Sequence, residues 1–107
     1  MTTTEAIALA CALRPNESLD EATLSNLLWE LEGMLAVEVQ GESPSSLTIC
    51  DIDLNIPMPF DCVYWTYLVA MIDLASKDLD SYKVSYAMFC EARDTYARWY
   101  HRTGGKP

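Results

Sequence analysis

The chain has 107 residues, 50% apolar and 21% charged, a composition that suits one globular domain over residues 1–107 and argues against disorder. Acids outnumber bases 16 to 7, for a net charge of −9, which opposes tight binding to phosphate backbones and anionic membranes and favours partners with a basic patch. No apolar run approaches the roughly twenty residues of a membrane span, and Asp73 interrupts the best candidate.

The first helix is expected from about Thr3 to Leu13. Thr2 and Glu5 have the spacing of a capping box. Its apolar stretch Ile7–Leu13 lacks a basic leader and follows Glu5, so it reads as a helix rather than a signal segment. Arg14-Pro15-Asn16 ends it, because proline disfavours helical geometry in the residue before it. Ser18-Leu19-Asp20-Glu21 has the spacing of a second box and opens a helix over about Leu19 to Val39. Leu24, Leu27, Leu28, Leu31, Met34 and Leu35 recur at threes and fours, as one buried stripe. Gly33 lies within that stripe and weakens the helix by about 1 kcal/mol relative to alanine.

Residues 40–59 read differently. Gly41, Ser43, Pro44, Ser45 and Ser46 are turn formers, and Leu47-Thr48-Ile49 and Ile52-Asp53-Leu54-Asn55-Ile56 alternate apolar and polar. An extended arm or short strand is expected at Leu47 to Ile56, stopped by Pro57 and Pro59. A third helix over about Phe60 to Ser76 has little polar face and should be central. Lys77 and Asp78 make a short turn, so a fourth helix over about Leu79 to Arg102 packs antiparallel to it. That helix carries Tyr82, Tyr86, Phe89, Tyr96 and Tyr100 close to one face, with Arg93 in the row. The fold class is thus all-α, a bundle of about four helices with an extended segment between the second and third.

Little in the chain points to catalysis or metal binding. Asp51-Ile52-Asp53-Leu54-Asn55 opens like a calcium loop, but the sixth and twelfth places hold Ile56 and Cys62, not the glycine and glutamate such a loop needs. Cys11, Cys50, Cys62 and Cys90 have no zinc-ligand spacing, and His101 has no cysteine nearby. Free thiols in a reducing compartment are expected, with a disulfide pairing as the alternative. Asp73, in an apolar helix, could be a base of raised pKa. The plainer reading pairs it with Arg93, Arg98 or a neighbouring subunit. Arg93, Arg98, His101, Arg102 and Lys106 gather late positive charge, which either complements the helix C-terminal dipole or docks on an acidic face. Trp99 and Tyr100 beside them serve either core or interface.

Several stretches resemble a family of small head–tail connector (adaptor) proteins from tailed phages and prophages of Gram-positive hosts. They are Leu13-Arg14-Pro15-Asn16, Leu28-Trp29-Glu30-Leu31-Glu32-Gly33, Pro59-Phe60-Asp61 with Tyr64 and Tyr67, Ala70-Met71-Ile72-Asp73, Ser81-Tyr82, Tyr86-Ala87-Met88-Phe89, and Tyr96 through Thr103. The set spans nearly the whole chain. Ser76-Lys77-Asp78 departs from it by lacking a glycine and an asparagine, and His101 stands where asparagine is more usual. The resemblance implies a non-enzymatic virion subunit, present in host cytoplasm during assembly and needing no cofactor. It would form a ring of identical copies, possibly a dodecamer, under the portal protein. That ring would extend the DNA channel without specific nucleic-acid binding and dock a stopper or tail-completion protein. Expected contact residues are Ile52, Leu54 and Ile56 on the arm, Asp73, and Arg98, Trp99, Tyr100 and Arg102 at the end of the fourth helix. The alternative from charge alone is a small acidic regulatory or inhibitory binding protein encoded by a phage.

Overall fold

The computed structural model describes residues 2–15, 19–39 and 56–104. Four helices follow in order: α1 (Thr3–Leu13), α2 (Glu21–Glu38), α3 (Cys62–Ala75) and α4 (Leu79–Thr103). The expected all-α bundle is therefore found. The arm expected at Leu47 to Ile56 lies outside the described residues, except for Ile56 itself.

Local chemistry sets most of the boundaries. Thr2 caps α1 with the full reciprocal box: Glu5 N–H donates to the Thr2 hydroxyl, and Thr2 N–H donates to the Glu5 carboxylate, both at 3.2 Å. The second helix starts later than expected. Asp20 is its cap, accepting from Thr23 N–H at 2.8 Å, because its carboxylate stands three residues before a free helical N–H. Gly33 does not interrupt α2, which continues to Glu38. Helix α3 also starts later, at Cys62, because Pro57–Asp61 first make a turn in which Phe60 N–H donates to Pro57 O at 2.9 Å.

The connection from α3 to α4 is Ser76-Lys77-Asp78. Lys77 has φ +60°, a left-handed conformation that suits glycine better than a side chain. Asp78 then caps α4, accepting from Ser81 N–H at 3.2 Å and from the Ser81 hydroxyl at 2.8 Å. At the far end Gly104 adopts φ +69° and donates its N–H to Tyr100 O at 2.7 Å, a glycine stop.

Helix α3 is the hub. It packs against each of the other three helices, whereas α4 packs on α3 alone among the described helices. Val63, Tyr64, Leu68 and Ile72 are completely buried. Leu24, Leu28, Leu31 and Leu35 of α2 face the same core at helical spacing. Met34, placed in that stripe from the sequence, is instead 43% exposed, since at 100° per residue it lies about a quarter turn from Leu35. The α3–α4 contacts run in opposite order along the two helices. Phe60, just before α3, meets Tyr96 and Trp99, Tyr67 meets Phe89, and Asp73 meets Ser85. The pair is antiparallel, as its short turn requires. At 25 residues α4 is about 37 Å long, which matches the 38 Å long axis of the molecule.

Candidate interaction surface

Asp73 is 1% exposed, and both its carboxylate oxygens are engaged. Arg14 Nε stands 2.7 Å from Oδ1, and the Ser85 hydroxyl donates to Oδ2 at 2.6 Å. The Arg14 Nε–H is not aimed along a hydrogen-bond direction, so the contact is chiefly Coulombic. This corrects the expected pairing of Asp73 with Arg93, Arg98 or another subunit. Arg93 reaches Asp94 at 3.4 Å and lies over the Phe89 ring at 5.8 Å. The cluster ties the end of α1 to α3 and α4, and it leaves Asp73 no oxygen to meet a partner.

Ile56 is also internal, at 1% exposure. Its N–H donates to the Tyr64 hydroxyl at 2.9 Å, and that hydroxyl donates to Glu32 Oε1 at 2.8 Å. Burial, and then the Glu32 charge, push the Tyr64 phenol far above its ordinary range. Ile56 is therefore core, not the exposed contact expected from its alternating neighbours. Buried on an apolar floor with its N–H paired, it has nothing to offer outward. Ile52 and Leu54 lie outside the described residues.

The end of α4 divides into two faces. Trp99 is half-buried against Phe60, ring centres 4.9 Å apart, and against Tyr96 at 6.0 Å. Tyr100 is half-buried beside Tyr96 at 6.0 Å. These rings chiefly anchor α4 to the turn before α3. Arg98 and Arg102, four residues apart, are exposed on the other face. Arg98 donates weakly to the Thr95 hydroxyl at 3.4 Å. His101 Nε2 lies 3.2 Å from Val39 O and ties this end to the end of α2. Of the contact residues read from the sequence, Arg98 and Arg102 are thus the outward pair.

A feature the sequence reading missed lies along the α3–α4 seam. Two adjoining depressions of about 290 and 360 Å³ share Trp65, Thr66 and Met88. Leu13, Arg14, Val69, Val84 and Ser85 line one end, and Pro59, Phe60, Cys62, Glu91, Ala92 and Thr95 the other. Val84 and Met88 are 65% and 48% exposed. The buried polar groups here are already engaged: Thr66 donates to Cys62 O and Val63 O, and Ser85 to Asp73. Burial, and then the Asp61 charge, push the Cys62 thiol up, which disfavours the reactive thiolate. What the groove offers is apolar surface. The spacing of Val84, Met88, Glu91 and Thr95 was the available signal for it.

Among the described residues no three His, Cys, Asp or Glu side chains group as a metal site, and no helix is long and apolar enough to cross a membrane. Cys11, Cys62 and Cys90 are free thiols. Neither protein-family models, nor curated proteins, nor solved structures give a match to this chain.

Proposed function

We propose that this chain is a structural subunit of the head–tail joint of a tailed phage, assembling as a ring beneath the portal and docking a stopper or tail-completion protein. The observation that carries this reading is where the residues of the family resemblance fall. Arg14 and Asp73 join α1 to α3, and Glu32 and Tyr64 join α2 to α3. Phe60 with Trp99, and Tyr67 with Phe89, join α3 to α4. The resembling pieces include residues that join the helices of this bundle, which supports the reading. An acidic surface supports the same reading, since passing DNA should slide rather than bind. So does an exposed pair of arginines at one end of a chain of net charge −9.

The test is to look for the protein in finished particles of the phage or prophage that carries the gene. Mass spectrometry should detect it in several copies per particle, and labelling should fall at the neck. Its absence from intact particles overturns the proposal. The net charge also fits an acidic inhibitory protein; portal and capsid genes next door favour the joint, and early-region genes favour the inhibitor.

A further inference from the structure

We propose that the groove between α3 and α4 seats an amphipathic helix of another protein, one whose apolar stripe is flanked by lysine or arginine. The inference goes beyond the reading above and does not depend on it, since it names a surface and the chemistry of its occupant.

The groove is shaped for apolar side chains. Val84 and Met88 stand exposed on its α4 wall, Trp65 and Val69 form its α3 side, and Leu13 closes one end, also exposed. Apolar side chains left uncovered together mark a contact surface, unlike ones scattered singly. The two depressions meet at Trp65, Thr66 and Met88, so successive anchors of one partner can fill both. Thr66 and Ser85 already donate within the chain and ask nothing polar of an occupant. From Val84 to Thr95 the α4 wall runs about 16 Å, the length of three helical turns. A trough between two antiparallel helices takes a third through apolar anchors at three- and four-residue steps.

Charge selects what flanks those anchors. Glu91 stands on the α4 wall, and Asp61 precedes Cys62, near enough for its charge to act on that thiol. At the other end the exposed Asp78 lies within the field of Arg14. Arg14 itself is 2.7 Å from Asp73, so its charge is balanced inside the fold. Asp94 beside Thr95 is met by Arg93, and Arg98, one turn beyond Thr95, is the base that remains at that end. The trough is thus apolar along its length with carboxylates about it, which suits an apolar stripe set between bases. The same charge opposes an anionic membrane as occupant. It also opposes a second copy of the chain, whose net charge is −9.

The test titrates the full chain with a synthetic helical peptide of about fifteen residues, leucine on one face and lysine on its flanks. A twin peptide carries glutamate in place of lysine. By calorimetry the lysine peptide should bind, and the twin at least about tenfold more weakly. Met88→Glu and Val84→Glu should each weaken the lysine peptide at least about tenfold, although each makes the chain more acidic. That sign separates seating in the groove from adhesion to an acidic surface, which both variants would strengthen. Glu91→Lys should weaken binding, whereas Glu30→Lys, on a helix that contributes nothing to the groove, should change it less than about twofold. Circular dichroism should be unchanged in every variant, since these side chains are exposed. Binding of the lysine peptide that Met88→Glu leaves unchanged or strengthens overturns the proposal. So does equal binding of the twin, or no binding of the lysine peptide at about 1 mM. A chain that associates with itself until Met88→Glu separates it also overturns the proposal, because a second copy then fills the groove. None of these results turns on whether the protein is found in particles, so the two readings fail separately.

Discussion

Asp73 and Tyr64 are two buried polar side chains whose replacement by apolar ones leaves partners stranded. Asp73→Ala leaves Arg14 Nε and the Ser85 hydroxyl facing an empty site, and a loss of about 2–3 kcal/mol is expected, less than for a fully buried pair because the Arg14 side chain is 42% exposed and can rehydrate. Arg14→Ala should cost a similar amount, and the double variant less than the sum, since the two share one interaction. Urea unfolding of the four proteins checks this. Tyr64→Phe strands the buried Ile56 N–H and should cost about 1–3 kcal/mol. The raised Tyr64 pKa has a sign that can be followed. Its contribution is fully present below the ordinary value of 10.0 and is lost as pH rises from there toward the folded value. Alkaline unfolding beginning near that pH, and blunted in Tyr64→Phe, is the expected outcome. Asp73 stood out in the sequence as a charge inside an apolar helix. Its partner did not, because Arg14 sits in another element and no local spacing connects them.

At the scale of elements, capping carries information that the chain states locally. The Thr2–Glu5 box was legible for that reason. The start of α3 was less so, because Pro57–Asp61 make a turn whose hydrogen bonds compete with the first helical ones. Asp20 and Asp78 both cap helices, and both carboxyls are held below their ordinary value, first by the side-chain hydrogen bonds to Thr23 and Ser81 respectively. A lowered folded value means that these caps stabilise above about pH 3.8 and lose their contribution as pH falls below it. Melting temperature should fall over that acid window, and more shallowly when Asp20 and Asp78 are replaced by Asn, which caps without titrating. The turn between α3 and α4 bears on stability in the other direction. Lys77 sits at φ +60°, where a β-carbon is crowded, so Lys77→Gly should stabilise by about 1 kcal/mol, read as a higher melting temperature.

For the molecule as a whole, the central place of α3 could be read from a helix with almost no polar face. The bundle followed from four periodic segments and one short turn. The groove could not be read that way. It forms where the flanks of α3 and α4 meet beside Leu13, and the α4 spacing of Val84, Met88, Glu91 and Thr95 marks only one of its walls. Burial likewise sorted the aromatic end of α4. Trp99 and Tyr100 had equal claims to core and interface until Phe60 was placed against Trp99 and Tyr96 beside Tyr100, while Arg98 and Arg102 turned outward.

Helix α4 holds to the rest of the bundle chiefly through α3, and its tip also meets the end of α2 where His101 contacts Val39. A load applied to its basic tip therefore passes mainly into α3, with a smaller share carried through His101 to the end of α2. The α3–α4 joint cannot loosen piecemeal without uncovering Phe89 and Tyr96, the apolar side chains of α4 that are 2% and 1% exposed. Amide protons of α3 and the middle of α4 should accordingly exchange together and slowest, as one mechanical unit, while those of α1 release earlier. Such a lever bends as a piece or detaches as a piece, which is how a part that hands force from one neighbour to the next would have to behave.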